Sequence, residues 1–284
     1  MLGRSALMRS VSVAALVAAP GVAVAQDDGD DVTYSVELGL LFSPFHIDAK
    51  ALDKVGVVDV GAIGGRAAVS VGKQLDPFWD LRLSGSINKF VLGTAERTAC
   101  DVDYPADCGP VAATARFGFT NLDIEVGYTP ALSDNGEVRF FAGVRGLHYH
   151  DEHSIDKLGE ESPFSPDSAS YFGAFNGVGP RVGAEGVFRQ PGDSFGFSGL
   201  FGVAALYGLE TRTSEVDGDV DVTEQYITVF NLEGSLGLDY YLDDDTKLTF
   251  GYRGEVFFNV GQGLSTSDTR FVHGPTIKLS GKIN

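Results

Sequence analysis

The sequence predicts an all-β protein: a closed antiparallel β-barrel that crosses a membrane with ten strands. Three observations support this prediction: an export signal, alternation of apolar and polar residues in many segments, and short turns that alternate with long polar segments. The alternation is clearest at 248–258, where Leu248 and Phe250 share one face and Thr249 and Arg253 share the other. Successive side chains of a strand point to opposite faces. In a transmembrane barrel the apolar face meets lipid and the polar face lines the interior.

The first 25 residues are typical of a signal peptide. Arg4 and Arg9 form a positive region before the apolar segment Val11–Val24, and Ala23-Val24-Ala25 fits the rule of small residues at a cleavage site. We predict cleavage after Ala25, so that residues 26–284 form the barrel. An uncleaved membrane anchor is the alternative. Export combined with a barrel predicts the bacterial outer membrane as the location.

Turn residues and polar segments divide the rest of the chain into strands. Short turns are predicted at 74–77, 133–136, 190–193 and 243–245, and long external loops at 46–58, 92–112, 150–169, 212–223 and 261–270. The ten predicted strands are 33–45, 60–73, 78–91, 113–129, 137–149, 170–189, 195–211, 224–242, 246–260 and 271–283. Short turns on one side and long loops on the other are expected of outer-membrane barrels. Eight strands is the alternative if the first strands pair differently, and twelve if a loop contains a hairpin.

The predicted inward faces carry many charges of both signs. These positions are Glu37, Arg66, Asp80, Arg82, Asp123, Glu125, Arg139, Arg145, Arg181, Glu185, Glu233, Asp239, Arg253 and Glu255. All six cations are arginines, which pair with carboxylates through two parallel hydrogen bonds. Two interpretations stay open: an ion-pair network that fills a narrow lumen, and a charged constriction that selects ions.

Aromatic residues near the short turns are expected to form a girdle at the membrane interface. These residues are Trp79, Tyr128, Phe195, Tyr240 and Tyr241. A soluble sandwich or lipocalin-like barrel would instead point its apolar faces inward. We favour the membrane barrel because the polar faces carry many charges and because the strands are long for a sandwich.

The segment Gly177-Val-Gly-Pro-Arg-Val-Gly-Ala-Glu-Gly-Val-Phe188 resembles a motif of the Legionella-type major outer membrane protein family. The following segment, Phe197–Tyr207, is similar to the next strand of that family, and Phe271–Pro275 resembles its closing strand. The resemblance covers mainly the C-terminal half of the chain. It implies an outer-membrane barrel with a pore-forming role, and it brings no catalytic residues.

Two further groups of residues suggest local chemistry. Cys100 and Cys108 lie in a segment rich in Asp and Pro, and in an exported chain they predict a loop disulfide, with a two-cysteine metal site as the rival. His148, His150 and His153 are weak candidates for a metal or hydrolase site. We expect no cofactor, no bound metal and no enzymatic activity, because neither His-Glu-x-x-His nor Gly-x-Ser-x-Gly occurs.

The formal net charge of −18 disfavours nucleic acid as a partner. The expected partners are the lipid and lipopolysaccharide of the outer membrane and the machinery that assembles barrels there. A homo-oligomer stays open, because surfaces that face lipid and surfaces that face another subunit are both apolar. We predict a passive pore for ions or small solutes. The alternative is a structural or adhesive surface barrel whose lumen is plugged by side chains.

Overall fold

The computed structural model describes residues 32–48, 54–55, 57–91, 93–101, 108–130, 136–158, 168–190, 192–216, 218–260 and 269–283. These residues form β1 (Val32–Asp48), β2 (Lys54–Val55), β3 (Val57–Gln74), β4 (Trp79–Phe90), β5 (Gly93–Asp101), β6 (Cys108–Tyr128), β7 (Gly136–Lys157), β8 (Ser168–Arg189), β9 (Phe195–Val216), β10 (Asp219–Tyr241), β11 (Thr246–Phe258) and β12 (Thr269–Ile283). Within these ranges no helix is long and apolar enough to span a bilayer. The predicted signal peptide lies outside the described residues and stays a prediction.

Ten of the strands close into an antiparallel barrel in which each pairs with its sequence neighbours. The first and last strands, β1 and β12, pair and close the ring. Both β4 and β5 pair with β6, β4 along 118–128 and β5 along 108–115, so they are two parts of one interrupted strand. The two residues of β2 pair with the end of β5. The prediction of a closed ten-stranded barrel is therefore confirmed.

Tight turns lie at one end of the barrel, together with the start of β1 and the end of β12; we call this the inner end. In the first turn the Asp76 carboxylate accepts hydrogen bonds from the backbone N–H groups of Phe78 and Trp79, at 2.7 and 2.9 Å. In the last turn the Asp243 carboxylate accepts from Asp245 and Thr246, at 2.9 and 2.6 Å. Asp closes such turns because its side chain reaches backbone N–H groups two or three residues on. The predicted turn at 133–136 lies mostly outside the described residues.

At the opposite end of the barrel, which we call the outer end, the strands are longer than the sequence predicts. The described residues of the segments 92–112, 150–169 and 212–223 are nearly all strand, because β5–β10 continue into them. β9 and β10 stay paired as far as Val216 and Asp219, and Gly218 between them has a φ of 87°. The strands β7–β9 have 22 residues each and β10 has 23. About 9–11 residues suffice to cross a membrane. The barrel therefore extends well beyond the bilayer on this side.

The outward surface carries a band of exposed apolar side chains, as the alternation predicts. Its inner rim contains Trp79, Tyr128, Phe195 and Tyr240, all exposed. Trp79 and Tyr128 pack against each other with ring centroids 4.9 Å apart. The prediction for Tyr241 was wrong: its ring lies against the Arg189 guanidinium at 3.8 Å and lines the interior cavity at the inner end. Tyr241 follows Tyr240 directly in β10, so the pleat turns it to the other face.

Candidate functional site

All fourteen predicted interior charges point into the barrel, where they are buried or half-buried. We call these residues the ionic layer; they occupy the inner half of the lumen. Glu233 of β10 lies at its centre and is 2% exposed. The Arg145 Nη2 atom lies 3.0 Å from Glu233 Oε1, and the guanidinium groups of Arg181 and Arg253 contact the same carboxylate. Three strands, β7, β8 and β11, therefore converge on one carboxylate of β10.

Several pairs of the ionic layer join strands that are not neighbours in the sheet. Arg139 of β7 donates two hydrogen bonds to Asp80 of β4, at 2.7 and 2.6 Å, with β6 between the two strands. Arg82 Nη1 of β4 lies 2.6 Å from Glu185 Oε1 of β8, across two intervening strands. A guanidinium supports such bridges because its planar fork matches a carboxylate. The ionic layer therefore ties the barrel walls together across the lumen.

The outer half of the lumen is filled by aromatic side chains. We call this set the aromatic layer, and its members are Phe90, Phe117, Phe119, Tyr149, Phe175 and Phe257, none more than 4% exposed. Phe90 stacks on Phe117 with centroids 3.9 Å apart, and Phe119 meets Phe257 edge to face at 4.8 Å. Buried aliphatic side chains surround these rings. The result is a packed apolar core inside a membrane barrel.

The Phe119–Phe257 contact spans the full width of the barrel. Phe119 lies on β6 and Phe257 on β11, and four strands separate these two in either direction around the ten-stranded ring. One row below, Asn121 of β6 donates a hydrogen bond to Glu255 of β11 at 3.3 Å. Strands on opposite sides of the barrel are thus joined at both levels, which leaves no space for a wide lumen there.

Sequence reasoning missed the aromatic layer for a simple reason. Around Phe117, Phe119 and Tyr149 the inward face becomes apolar, whereas the outward face carries Thr120 and His148. The polarity of the two faces is therefore reversed relative to the membrane-spanning part. That reversal is visible in the sequence, but only once the strand is known to continue beyond the bilayer.

Two cavities lie in the inner half of the lumen. One, of about 440 Å³, lies at the inner end and is lined by residues of the turns and of the ionic layer, among them Arg139 and Lys247. The other, of about 110 Å³, lies within the ionic layer and reaches Asp123 and Arg145. Both are lined in part by Arg82, and neither is lined by a member of the aromatic layer. Space large enough for water therefore exists beside the ionic layer.

The three clustered histidines lie in strand β7, not in a loop, and they do not form one site. His148 and His150 point outward, whereas His153 is fully buried inside the barrel, with its Nε2 atom 3.2 Å from Asp151 Oδ2. Arg270 Nη2 also lies 3.5 Å from the Asp151 carboxylate. In the part of the chain that the structure describes, no three His, Cys, Asp or Glu side chains are arranged to hold a metal ion.

The backbone register places Cys100 of β5 directly opposite Cys108 of β6. Residues directly opposite in an antiparallel pair have Cα atoms about 4.5–5.5 Å apart, within the range that a disulfide requires. The side chains of both cysteines lie outside the described residues. The disulfide therefore stays a prediction, and the register is compatible with it.

Comparison with known proteins identifies the family. The model of the Legionella pneumophila major outer membrane protein precursor family matches residues 87–281. A comparison with curated proteins finds no match. The chain is similar in structure to the outer membrane protease OmpT of Escherichia coli, with a TM-score of 0.57, 12% identity, and coverage of 90% of this chain and 97% of that one. It also matches a major outer membrane protein of Thermus thermophilus, with a TM-score of 0.40, 15% identity, and coverage of 89% and 99%.

The likeness to OmpT extends to the fold alone at this level of identity. The family match covers more than half of the chain and agrees with the observed barrel. The protein is an outer-membrane β-barrel that belongs to the Legionella pneumophila major outer membrane protein family.

Proposed function

We propose that the protein is a structural surface barrel whose lumen is plugged by its own side chains, and that it does not conduct ions in this state. The observation that supports this most directly is the contact between Phe119 and Phe257, which belong to opposite strands. A pore open at this level would have to separate these two rings. The external extension of β7–β10 is then the part that meets the surroundings of the cell.

The energetics of the aromatic layer favour the closed state. Fully burying a Phe side chain is worth about 1.5–3 kcal/mol relative to leaving it exposed. Phe117, Phe119 and Phe257 are each at most 1% exposed. Opening a water path through this layer would expose several such rings together. Any water path through the ionic layer would therefore end at the aromatic layer.

A passive pore is the second candidate function, and the cavities of the inner half support it. The space of about 440 Å³ at the inner end and the space of about 110 Å³ in the ionic layer share Arg82, Glu185 and Arg253 as lining residues. Ions could therefore approach the aromatic layer from the inner end. In this candidate function the aromatic layer is a gate, and the charges of the ionic layer select the ions that pass.

We propose no enzymatic role. The Asp151–His153 pair, in the interior of the outer half, is the arrangement that most resembles a general base held by a carboxylate. Both side chains are completely buried and contact no solvent. A substrate would have to reach a general base within hydrogen-bond distance. His148 and His150 face away from the lumen and do not converge with this pair.

Single-channel recording of the refolded protein in a planar bilayer tests the proposal. The wild-type protein is expected to be silent, whereas the double variant Phe119→Ala/Phe257→Ala is expected to give discrete conductance steps, because it removes the contact across the lumen. The matched control is Phe201→Ala/Phe230→Ala, which removes two exposed rings from the outward face. The control is expected to stay silent.

Discrete, reproducible steps from the wild-type protein would overturn the plugged barrel and establish the pore. A silent double variant that retains the barrel, judged by its far-ultraviolet circular dichroism, would place the closure in the ionic layer instead. In that case the reversal potential of variants in the ionic layer becomes the next measurement.

A further inference from the structure

Four basic side chains form a patch on the outward surface of the barrel. We call Lys89 of β4, Arg116 of β6, and His148 and His150 of β7 the basic patch. The strands β4, β6 and β7 are neighbours in the sheet. In the register, Lys89 lies opposite Gly118, and Gly118 lies opposite His150.

Gly118 brings the two basic side chains towards each other. A Cβ atom at this position would lie 2.8 Å from Cε1 and 3.1 Å from Nε2 of His150, so the imidazole occupies the space over the glycine. The His150 ring is therefore displaced toward the Lys89 side of the patch. The rings of His148 and His150 lie 5.7 Å apart, and Nδ1 of His148 is 2.7 Å from Oδ1 of Asn176.

The two permanent charges of the patch have no ion-pair partner among the residues that the structure describes. Lys89 and Arg116 are both exposed. Glu152 lies opposite Arg116 in the register, yet no ion pair joins them. Burial lowers the pKa of His150, and the neighbouring His148 lowers it further. Arg116 and Lys89 also lower this pKa, against the opposing effect of the Asp151 carboxylate, so the positive charge of the patch is felt at His150.

The patch lies at the outer edge of the apolar band. Lys89 is ten residues along the strand from Trp79, the inner-rim residue of β4. At about 3.3 Å per residue and a tilt of about 40°, ten residues rise about 25 Å, which is the height of the apolar band of such barrels. Gly118 stands at the same spacing from Tyr128 of the inner rim. The patch is therefore level with the headgroups of the outer leaflet.

The net charge of the chain makes this patch exceptional. The formal charge of the protein is −18, and the outer half carries Glu152, Asp156 and Glu224 as exposed acids. Among the outer-half side chains that the structure describes, Lys89 and Arg116 are the exposed Lys and Arg residues. Two exposed cations at the level of the headgroups are complementary in charge to the phosphate of a lipid.

We propose that the basic patch binds a phosphate group of an outer-leaflet lipopolysaccharide, with the acyl chains lying on the apolar band below. Arg116 binds the phosphate oxygens with two parallel hydrogen bonds, and Lys89 contributes a point charge. The imidazole of His150 adds an N–H donor beside them. The exposed Leu83 and Leu122 lie below the patch on the same strands and face the acyl chains.

Lipid binding to the purified protein in detergent micelles, followed by native mass spectrometry, tests this site. The probe is diphosphoryl lipid A, compared with lipid A from which the phosphates have been removed and with inorganic phosphate. We expect Lys89→Ala/Arg116→Ala to weaken the binding of diphosphoryl lipid A at least tenfold. The matched control is Lys73→Ala/Lys282→Ala, which removes two exposed lysines from the inner end and is expected to leave the binding unchanged.

Equal binding by the Lys89→Ala/Arg116→Ala variant and the wild type would overturn the proposal. So would equal binding of dephosphorylated lipid A, because the site would then recognise only acyl chains. If inorganic phosphate binds as tightly as the lipid, the patch is a site for free phosphate and the lipid assignment falls. Should the alanine variant fail to fold, Lys89→Gln/Arg116→Gln takes its place, because it removes both charges and keeps a longer, polar side chain at each position.

Discussion

The two halves of the barrel interior are filled by opposite chemistry. In the inner half, arginines and carboxylates bridge the walls and leave cavities of about 440 and 110 Å³ beside them. In the outer half, rings such as Phe117 and Phe257 pack with at most 1% exposure. The same ten strands line both halves. The alternation of a strand therefore sets which side chains point inward, but not what those side chains are.

The difference follows from what surrounds each half. In the bilayer the outward face must be apolar, so polar groups are confined to the interior, where each buried charge needs a partner. Beyond the bilayer the outward face meets water and carries exposed acids such as Asp156 and Glu224. There the interior is free to be apolar, as in a soluble protein. In the inner half the apolar face therefore points outward, as in a membrane barrel. In the outer half the apolar face points inward, as in a soluble β-barrel.

The largest effect is expected from Glu233→Ala in the ionic layer. The substitution leaves the guanidinium groups of Arg145, Arg181 and Arg253 with one carboxylate fewer in a buried site. Breaking a buried ion pair costs about 3–5 kcal/mol. We expect a loss of this size in the free energy of unfolding, measured with urea in lipid vesicles.

Asp244→Ala is the control for this variant. The Asp244 side chain is 98% exposed, although it lies 3.9 Å from Arg189, and its removal is expected to change the free energy by less than about 0.5 kcal/mol. A loss below about 1 kcal/mol for Glu233→Ala would mean that water solvates the three arginines. The interior of the inner half would then be partly hydrated, and the two halves would differ less in packing.

Phe117→Ala in the aromatic layer is expected to cost about 3 kcal/mol, the lower end of the range for Phe-to-Ala changes in cores. The reason is the loss of the stack with Phe90 and the cavity left behind. Phe197→Ala, which removes a ring that is 64% exposed on the outward face, is the matched control and is expected to cost less. The same urea titration measures both variants. Equal losses of unfolding free energy would show that the interior of the outer half is not packed like a core.

Arg253→Ala is expected to lower the free energy of unfolding by about 2 kcal/mol, the scale of a hydrogen bond to a charged group. The loss is smaller than for Glu233→Ala because Glu233 retains Arg145 and Arg181. In the Phe119→Ala/Phe257→Ala background, the same change removes a cation from the lumen and should shift selectivity toward cations, measured by the reversal potential in a salt gradient. A variant that alters neither quantity would show that Arg253 is outside the conduction path and contributes nothing to the network.

The smallest effect is expected from Cys100→Ser/Cys108→Ser, outside both layers. If the predicted disulfide forms, its loss loosens the β5–β6 hairpin of the external extension, because such peripheral units open independently of the rest of a protein. Digestion by an added protease should then become faster at this hairpin, while the urea midpoint of the barrel stays the same. Mass spectrometry that detects two free thiols in the unreduced protein would exclude the disulfide.

Much of the barrel could be predicted from the sequence, because strand faces and turns depend on residues that are close together in the chain. Alternation at 248–258 assigned Arg253 and Glu255 to the interior, because a pleated strand has a period of two residues. In two of the turns, Asp76 and Asp243 accept hydrogen bonds from nearby backbone groups, where the strands end. The error at Tyr241 has the same origin, since it was grouped with Tyr240 by position along the chain and not by face.

The sequence by itself determined the fold class and the faces of the membrane-spanning strands, and it favoured ten strands over eight or twelve. The meeting of Phe119 with Phe257, and of three arginines with Glu233, was decided only by the tertiary structure. Phe119 and Phe257 lie on opposite strands, and Arg145 and Arg181 reach Glu233 across two intervening strands and one, so these distances depend on the closure, tilt and stagger of the strands. Local patterns carry no information about that closure, so they could not reveal whether the lumen is filled.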